Sequence, residues 1–162
     1  MKAGSSSLPA SAQRVQAVLD ALGIDTPVIE LPAAARTAQQ AADALGVEVG
    51  RIAKSLVFRG AASQRAILVI TAGDRRVDES RLAAVLGEPI ERASPEFVRA
   101  HTGFAIGGVP PVGHVVRPET FLDLSLRRFE TVWAAGGTPH CVFAITPGAL
   151  LAAGGGREVD LA

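Results

Sequence analysis

Two apolar runs of strand composition, Ile52-Ala53-Lys54-Ser55-Leu56-Val57-Phe58 and Arg65-Ala66-Ile67-Leu68-Val69-Ile70-Thr71, are separated only by the short connection Arg59-Gly60-Ala61-Ala62-Ser63-Gln64. A connection of that length suits a hairpin, which limits the fold more than any other feature of the chain. The second run is nearly continuous in β-branched and aliphatic residues, so it is expected to be a central strand covered on both faces. Helical patterns lie outside this pair. Val15, Val18, Leu19 and Leu22 recur at helical spacing after Ser11, which is expected to cap the helix, and before Gly23, which can end it. Pro27 to Leu31 reads as a short extended piece. Thr37 is expected to cap a second helix running to Leu45-Gly46, Asp78-Glu79 to open a third through Leu82, Val85 and Leu86, and Ser94-Pro95 a fourth through Phe97 and Val98. Segments 126–135 and 140–145 read as a late strand pair, and 147–153 as a last short helix. Hairpins mixed with segregated helices favour an α+β domain over a doubly wound parallel sheet.

Lys54 stands out within the first run. It is the only lysine after Lys2, and every other basic residue is arginine. An ammonium group in apolar surroundings costs several kcal/mol unless a carboxylate, a carbonyl or a ligand compensates it, so a partner is implied. A bland alternative is that the stem packs while the head reaches solvent at the sheet edge. Ser55 follows it on the strand and is expected to point to the opposite face.

The second informative segment is Gly103-Phe104-Ala105-Ile106-Gly107-Gly108-Val109-Pro110-Pro111-Val112-Gly113-His114. Paired glycines let a backbone approach a ligand and aim successive N–H groups at one oxygen, while paired prolines hold the turn still. That is one way to build an oxyanion hole without side chains. A purely structural Ω-type turn is the competing reading. The segment matches neither the dinucleotide-binding glycine fingerprint nor a phosphate loop. His101 falls at a helix end and reads as structural, whereas His114 and His140 each follow a glycine- and proline-bearing loop and are candidates for a pocket rim. The pairs Arg75-Arg76 and Arg127-Arg128 could touch phosphate, although exposed charges of this kind are usually solvated.

Several functional classes are disfavoured. Sixteen acidic and sixteen basic residues cancel, so no global field draws the chain to polyanions or acidic membranes. A single cysteine, Cys141, has no redox-motif context, and no Cys/His spacing suits zinc. There is no G-x-S-x-G elbow. No apolar stretch is long enough for a signal peptide or a bilayer span, so a cytoplasmic protein is expected, with a disordered lead over 1–10 and one domain over 11–162.

Taken in order, Arg36-Thr37-Ala38-Gln39-Gln40-Ala41-Ala42, the Lys54 run, the Gly103–His114 segment and Phe129-Glu130-Thr131-Val132-Trp133-Ala134-Ala135-Gly136-Gly137 resemble the YbaK / prolyl-tRNA synthetase-associated editing-domain family of aminoacyl-tRNA deacylases. The resemblance implies a single compact α+β domain with a mixed, largely antiparallel sheet flanked by helices, and an enzyme that clears wrongly charged tRNA. It implies no cofactor and no metal. Its partners would be the acceptor end of an aminoacyl-tRNA and prolyl-tRNA synthetase, with Cys- or Ala-tRNA(Pro) the expected substrates. By the same resemblance Lys54 is the residue most tied to activity, and Gly107 and Gly108 supply backbone donors. Phe58, Ile106, Val109, Pro110, Ser55 and His140 are expected around the substrate, with Phe104 a further candidate for its wall. A non-catalytic module that binds tRNA ends or a synthetase, and a small-molecule ester hydrolase, are the alternative readings.

Overall fold

The computed structural model describes residues 8–162. The hairpin is present: β2 (Ile52–Gly60) pairs antiparallel with β3 (Ala66–Ala72), from Ala53 opposite Ala72 to Arg59 opposite Ala66. Every residue of β3 is buried. Its Leu68, Ile70 and Ala72 enter a large core with Val15 and Leu19 of α1 (Ala10–Ala21) and Leu150 of α5 (Pro147–Gly154), while Ile67 and Val69 enter a smaller one with Leu82 of α3 (Glu79–Leu86) and Phe121. Burying each such side chain contributes about 1.5–3 kcal/mol, which is why the apolar run forms the spine of the molecule.

Around the hairpin the sheet runs in the order β1-β7-β6-β2-β3-β5-β8. Here β1 is Ile29–Glu30, β5 is Glu119–Asp123, β6 is Val132–Ala135, β7 is Cys141–Ile145 and β8 is Arg157–Val159, while β4 (Ile90–Arg92) lies off that path and pairs with β2. Pairings β1–β7, β6–β7, β2–β3 and β2–β4 are antiparallel, and β2–β6, β3–β5 and β5–β8 are parallel. The sheet is mixed and the domain α+β, as expected.

Capping chemistry sets most helix boundaries. Thr37 and Gln40 close a capping box on α2 (Ala38–Leu45), Asp78 accepts from the Arg81 N–H at the start of α3, and Ser94 accepts from the Phe97 N–H at the start of α4 (Pro95–Thr102). The first helix departs from expectation. It begins at Ala10 after Pro9, so Ser11 lies inside it and caps nothing. Of the expected disordered lead, residues 1–7 lie outside the described residues, whereas Leu8 is buried in the core and its carbonyl accepts from Gln13 Nε2 at 2.7 Å.

The expected strand over 126–135 is divided. Leu124–Arg128 is a 3-10 turn, because the buried Asp123 carboxylate accepts the Ser125 N–H at 3.0 Å and turns the chain, and only Val132–Ala135 joins the sheet. The other Asp123 oxygen accepts the Leu161 N–H at 2.7 Å, which ties down the end of the chain beyond β8.

Candidate active site

The site originates in an interruption of the sheet. On one edge β2 is paired with β3 throughout. On its other edge β6 pairs only with Ile52 and Ala53, and β4 only with Phe58 to Gly60. Between them the stretch from Lys54 to Val57 faces no strand. Beside this gap lies a cavity of about 290 Å³, lined by Lys54, Ser55 and Leu56, by Ala38 and Ala41 of α2, by Trp133 to Ala135 of β6, and by Ile106, Gly107 and Val109. A smaller chamber of about 150 Å³ adjoins it past Ser55 and Gly107 and is walled by Val57, Phe58, Ala93 and Val98.

The Gly103–His114 segment is a loop pinned at both ends. Phe104, Val109 and Val112 insert into the large core. The Val115 and Val116 N–H groups donate to Thr102 O at 3.1 Å and His101 O at 2.8 Å, which closes the base of the loop. Ile106 and Gly107 form the exposed tip. The loop is also wedged against the β6–β7 turn: a Cβ on Gly108 would come within 2.6 Å of Thr138 Cα, so only glycine permits this approach. Gly107 has φ +92, a conformation costly to any residue with a Cβ.

The two glycines expected to donate together are not equivalent. The Gly108 N–H is committed to Ala105 O at 3.0 Å, so it cannot also serve a ligand. The Gly107 N–H has no acceptor among the described residues. Gly108 therefore shapes the loop, and Gly107 carries the free donor.

Lys54 is half-buried, and its side chain makes no hydrogen bond or ion pair among the described residues. Burial lowers its pKa, nearby Arg76 lowers it further, and Asp74 partly opposes the shift. Its neighbour across the hairpin is Thr71, a fully buried residue whose hydroxyl also has no hydrogen-bond partner among the described residues. Ser55 lies opposite Ile70 and so faces the large core, away from Lys54. Both residues nonetheless line the cavity, because the gap between β6 and β4 opens the edge of the sheet at that point. The Ser55 hydroxyl is buried without a hydrogen bond among the described residues.

Other expected site residues fall elsewhere. His140 is exposed and does not line the cavity; its backbone accepts the Leu31 N–H at 2.6 Å, which makes it part of the β1–β7 junction. Phe58 walls the smaller chamber, Phe104 is core, and Pro110 is buried within the loop without lining either chamber. His114 is not at the rim. Its Nε2 donates to Pro110 O at 2.7 Å, its ring packs edge-on to Phe104, and burial pushes its pKa down. Cys141 lines the cavity as a buried thiol whose pKa burial raises, which does not suit a nucleophile.

Sequence reasoning did not assign Trp133, Arg36, Ala38 or Ala41 to the site, yet all four line the cavity. One signal was available for Trp133, the chain's single tryptophan.

Residues 32–153 match the family model for the aminoacyl-tRNA editing domain, and the chain belongs to that family. A solved structure provisionally named a trans-editing enzyme for prolyl tRNA synthetase is 49% identical, with a TM-score of 0.90 over 96% of this chain and 98% of its own. Another, of hypothetical protein APE2540, is 27% identical, with a TM-score of 0.85 over 91% of this chain and 98% of its own. The uncharacterized protein YwhH of Bacillus subtilis (strain 168) is 42% identical over 99 residues; the match spans 61% of this chain and 62% of that relative's length.

Proposed function

We propose that this protein is an aminoacyl-tRNA deacylase that acts in trans in the cytoplasm, hydrolysing the ester of tRNA charged with the wrong amino acid, with Cys- or Ala-tRNA(Pro) the foremost substrates. The observation that carries this reading is a half-buried Lys54 side chain sharing one cavity with the Gly107 amide, both without a hydrogen-bond partner among the described residues. Membership of the editing-domain family supports it. The provisional naming of the 49% identical structure supports the choice of prolyl-tRNA synthetase as the associated enzyme.

The chemistry asks little of the protein. An aminoacyl ester is already activated, so positioning and charge stabilisation are enough. Lys54, as a cation, holds the terminal ribose-phosphate or the aminoacyl group, and the Gly107 N–H donates to the carbonyl oxygen as charge builds there. Water adds to the carbonyl carbon, the ester C–O bond breaks, and the ribose oxygen recovers a proton from its neighbouring hydroxyl or from water. The amino acid leaves as its carboxylate. A cavity of about 290 Å³ with mostly apolar walls suits a small acyl group joined to a ribose.

Deacylation of Cys-, Ala- and Pro-charged tRNA(Pro) by wild type and Lys54→Ala tests the reading. The variant is expected to lose about 10²-fold or more in kcat/KM while its circular dichroism and thermal midpoint stay close to wild type. Retained turnover would remove Lys54 from the mechanism. Equal turnover of free amino-acid esters would reassign the enzyme to small-molecule esters.

A further inference from the structure

The chain is neutral, but its charges are not evenly spent. Among the described residues, eight of the fourteen arginines are ion-paired. Arg36, Arg75 and Arg76 have no such partner among the described residues, and all three are exposed. The topology gathers them. Arg36 lies just ahead of α2 and lines the Lys54 cavity. Arg76 belongs to the loop after β3, five residues beyond the Thr71 that stands opposite Lys54. Gly73 in that loop lies so close to α2 that a Cβ on it would come within 2.9 Å of the Ala38 side chain. The arginine-bearing loop therefore packs against the first turn of α2, whose Ala38 lines the cavity together with Lys54.

The carboxylates of this region are already engaged. Asp74, in the same loop, receives both guanidinium nitrogens of Arg128, at 3.0 and 2.6 Å. Glu48 pairs with Arg51 at 3.5 Å. Arg76 is near enough to Lys54 to repel its ammonium. Holding unpaired like charges together is unfavourable unless an anion joins them, and guanidinium groups suit phosphate oxygens.

The geometry points to a cationic rim, formed by Arg36 and Arg76 beside Lys54, that grips the phosphodiester leading into the acylated 3′ nucleotide. This rests on the deacylase reading and adds to it the residues that fix the register of the RNA end. It also explains how a chain without net charge handles a polyanion: the attraction is confined to the cavity mouth.

The test is steady-state deacylation of mischarged tRNA at 50 and 200 mM salt by Arg36→Ala, Arg76→Ala and the double variant. Each single variant is expected to raise KM by about 5- to 10-fold at low salt with kcat within about twofold, and the penalty should shrink at high salt as phosphate contacts are screened. Lysine at both positions should restore most of the KM. Arg99→Ala and Arg117→Ala, which remove exposed unpaired arginines away from the cavity, should leave KM unchanged. An unaltered KM in the double variant overturns the rim, as does an equal rise in the two controls. If wild type deacylates no tRNA, the deacylase reading fails, and fluorescence anisotropy of a labelled single-stranded RNA oligonucleotide then judges the rim alone. Weaker binding by the double variant upholds it and equal binding overturns it. Displacement of that oligonucleotide by an equal concentration of a 5′-mononucleotide would overturn the assignment to an RNA end in favour of a small-phosphate site.

Discussion

Lys54 and His114 are both partly buried bases whose pKa values burial lowers, yet they do opposite work. The Lys54 side chain has no partner among the described residues and opens on a cavity, whereas His114 spends Nε2 on Pro110 O and closes the loop that forms the cavity wall. The sign of linkage for His114 follows from the depressed value. Above the ordinary histidine range both folded and unfolded forms are neutral, and the Pro110 contact contributes fully. As pH falls below about 6.5 the unfolded chain takes up a proton that the folded protein resists, so stability is lost down to the folded pKa and levels off beneath it. Urea midpoints for wild type and His114→Gln at pH 7.5 and 5.5 measure this: wild type is expected to be the more stable at pH 7.5, and the difference between the two should narrow at pH 5.5. A constant difference would mean that the imidazole does not titrate in that interval.

The loop between α4 and β5 is the element on which the site depends, and Gly108 is its contact with the β6–β7 turn. A methyl group there has no room beside the Thr138 backbone, so Gly108→Ala must push the loop away from that turn. We expect a stability loss of about 1–3 kcal/mol, read as a lower urea midpoint, together with a fall in kcat as Gly107 is displaced. A variant that deacylates at the wild-type rate would separate loop position from catalysis. The hairpin, α2, α3, α4 and the presence of this loop were legible because each has a local cause: apolar continuity in Ile67–Ile70, side-chain caps at Thr37, Asp78 and Ser94, and a cluster of glycine and proline. The short strands β4, β5 and β8 were not, because three to five residues carry no periodicity of their own and are fixed by long-range pairing with β2, β3 and β5. Within the site, Lys54 announced itself as a charge in an apolar run, whereas the unequal fates of the Gly107 and Gly108 amides depend on one turn hydrogen bond to Ala105 that no spacing reveals. His140 misled because following a glycine turn does not determine which way a side chain points; here it points to solvent.

At the scale of the whole molecule, the sheet has two wings joined through a narrow seam. Strands β1, β7 and β6 meet the rest only where Ile52 and Ala53 pair with Trp133 and Ala134, and the cavity lies just beyond that seam. Trp133 belongs to one wing and Lys54 to the other, and both line the cavity. A ligand seated there adds contacts between the wings that the sheet itself lacks, so binding should stabilise the whole fold rather than one loop. At a hundred times Kd the gain is about 2.7 kcal/mol. For a chain of this size that is a rise of roughly 5–10 °C in thermal midpoint. Because Trp133 is the only tryptophan, intrinsic fluorescence reports the same event from inside the cavity. Titration with a non-hydrolysable 3′-aminoacylamino-adenosine is therefore expected to raise the midpoint and shift Trp133 emission with one common Kd, and Lys54→Ala should weaken both signals in parallel. A midpoint that rises while the emission stays fixed would place the ligand away from the seam and leave Lys54 and Gly107 without a shared substrate.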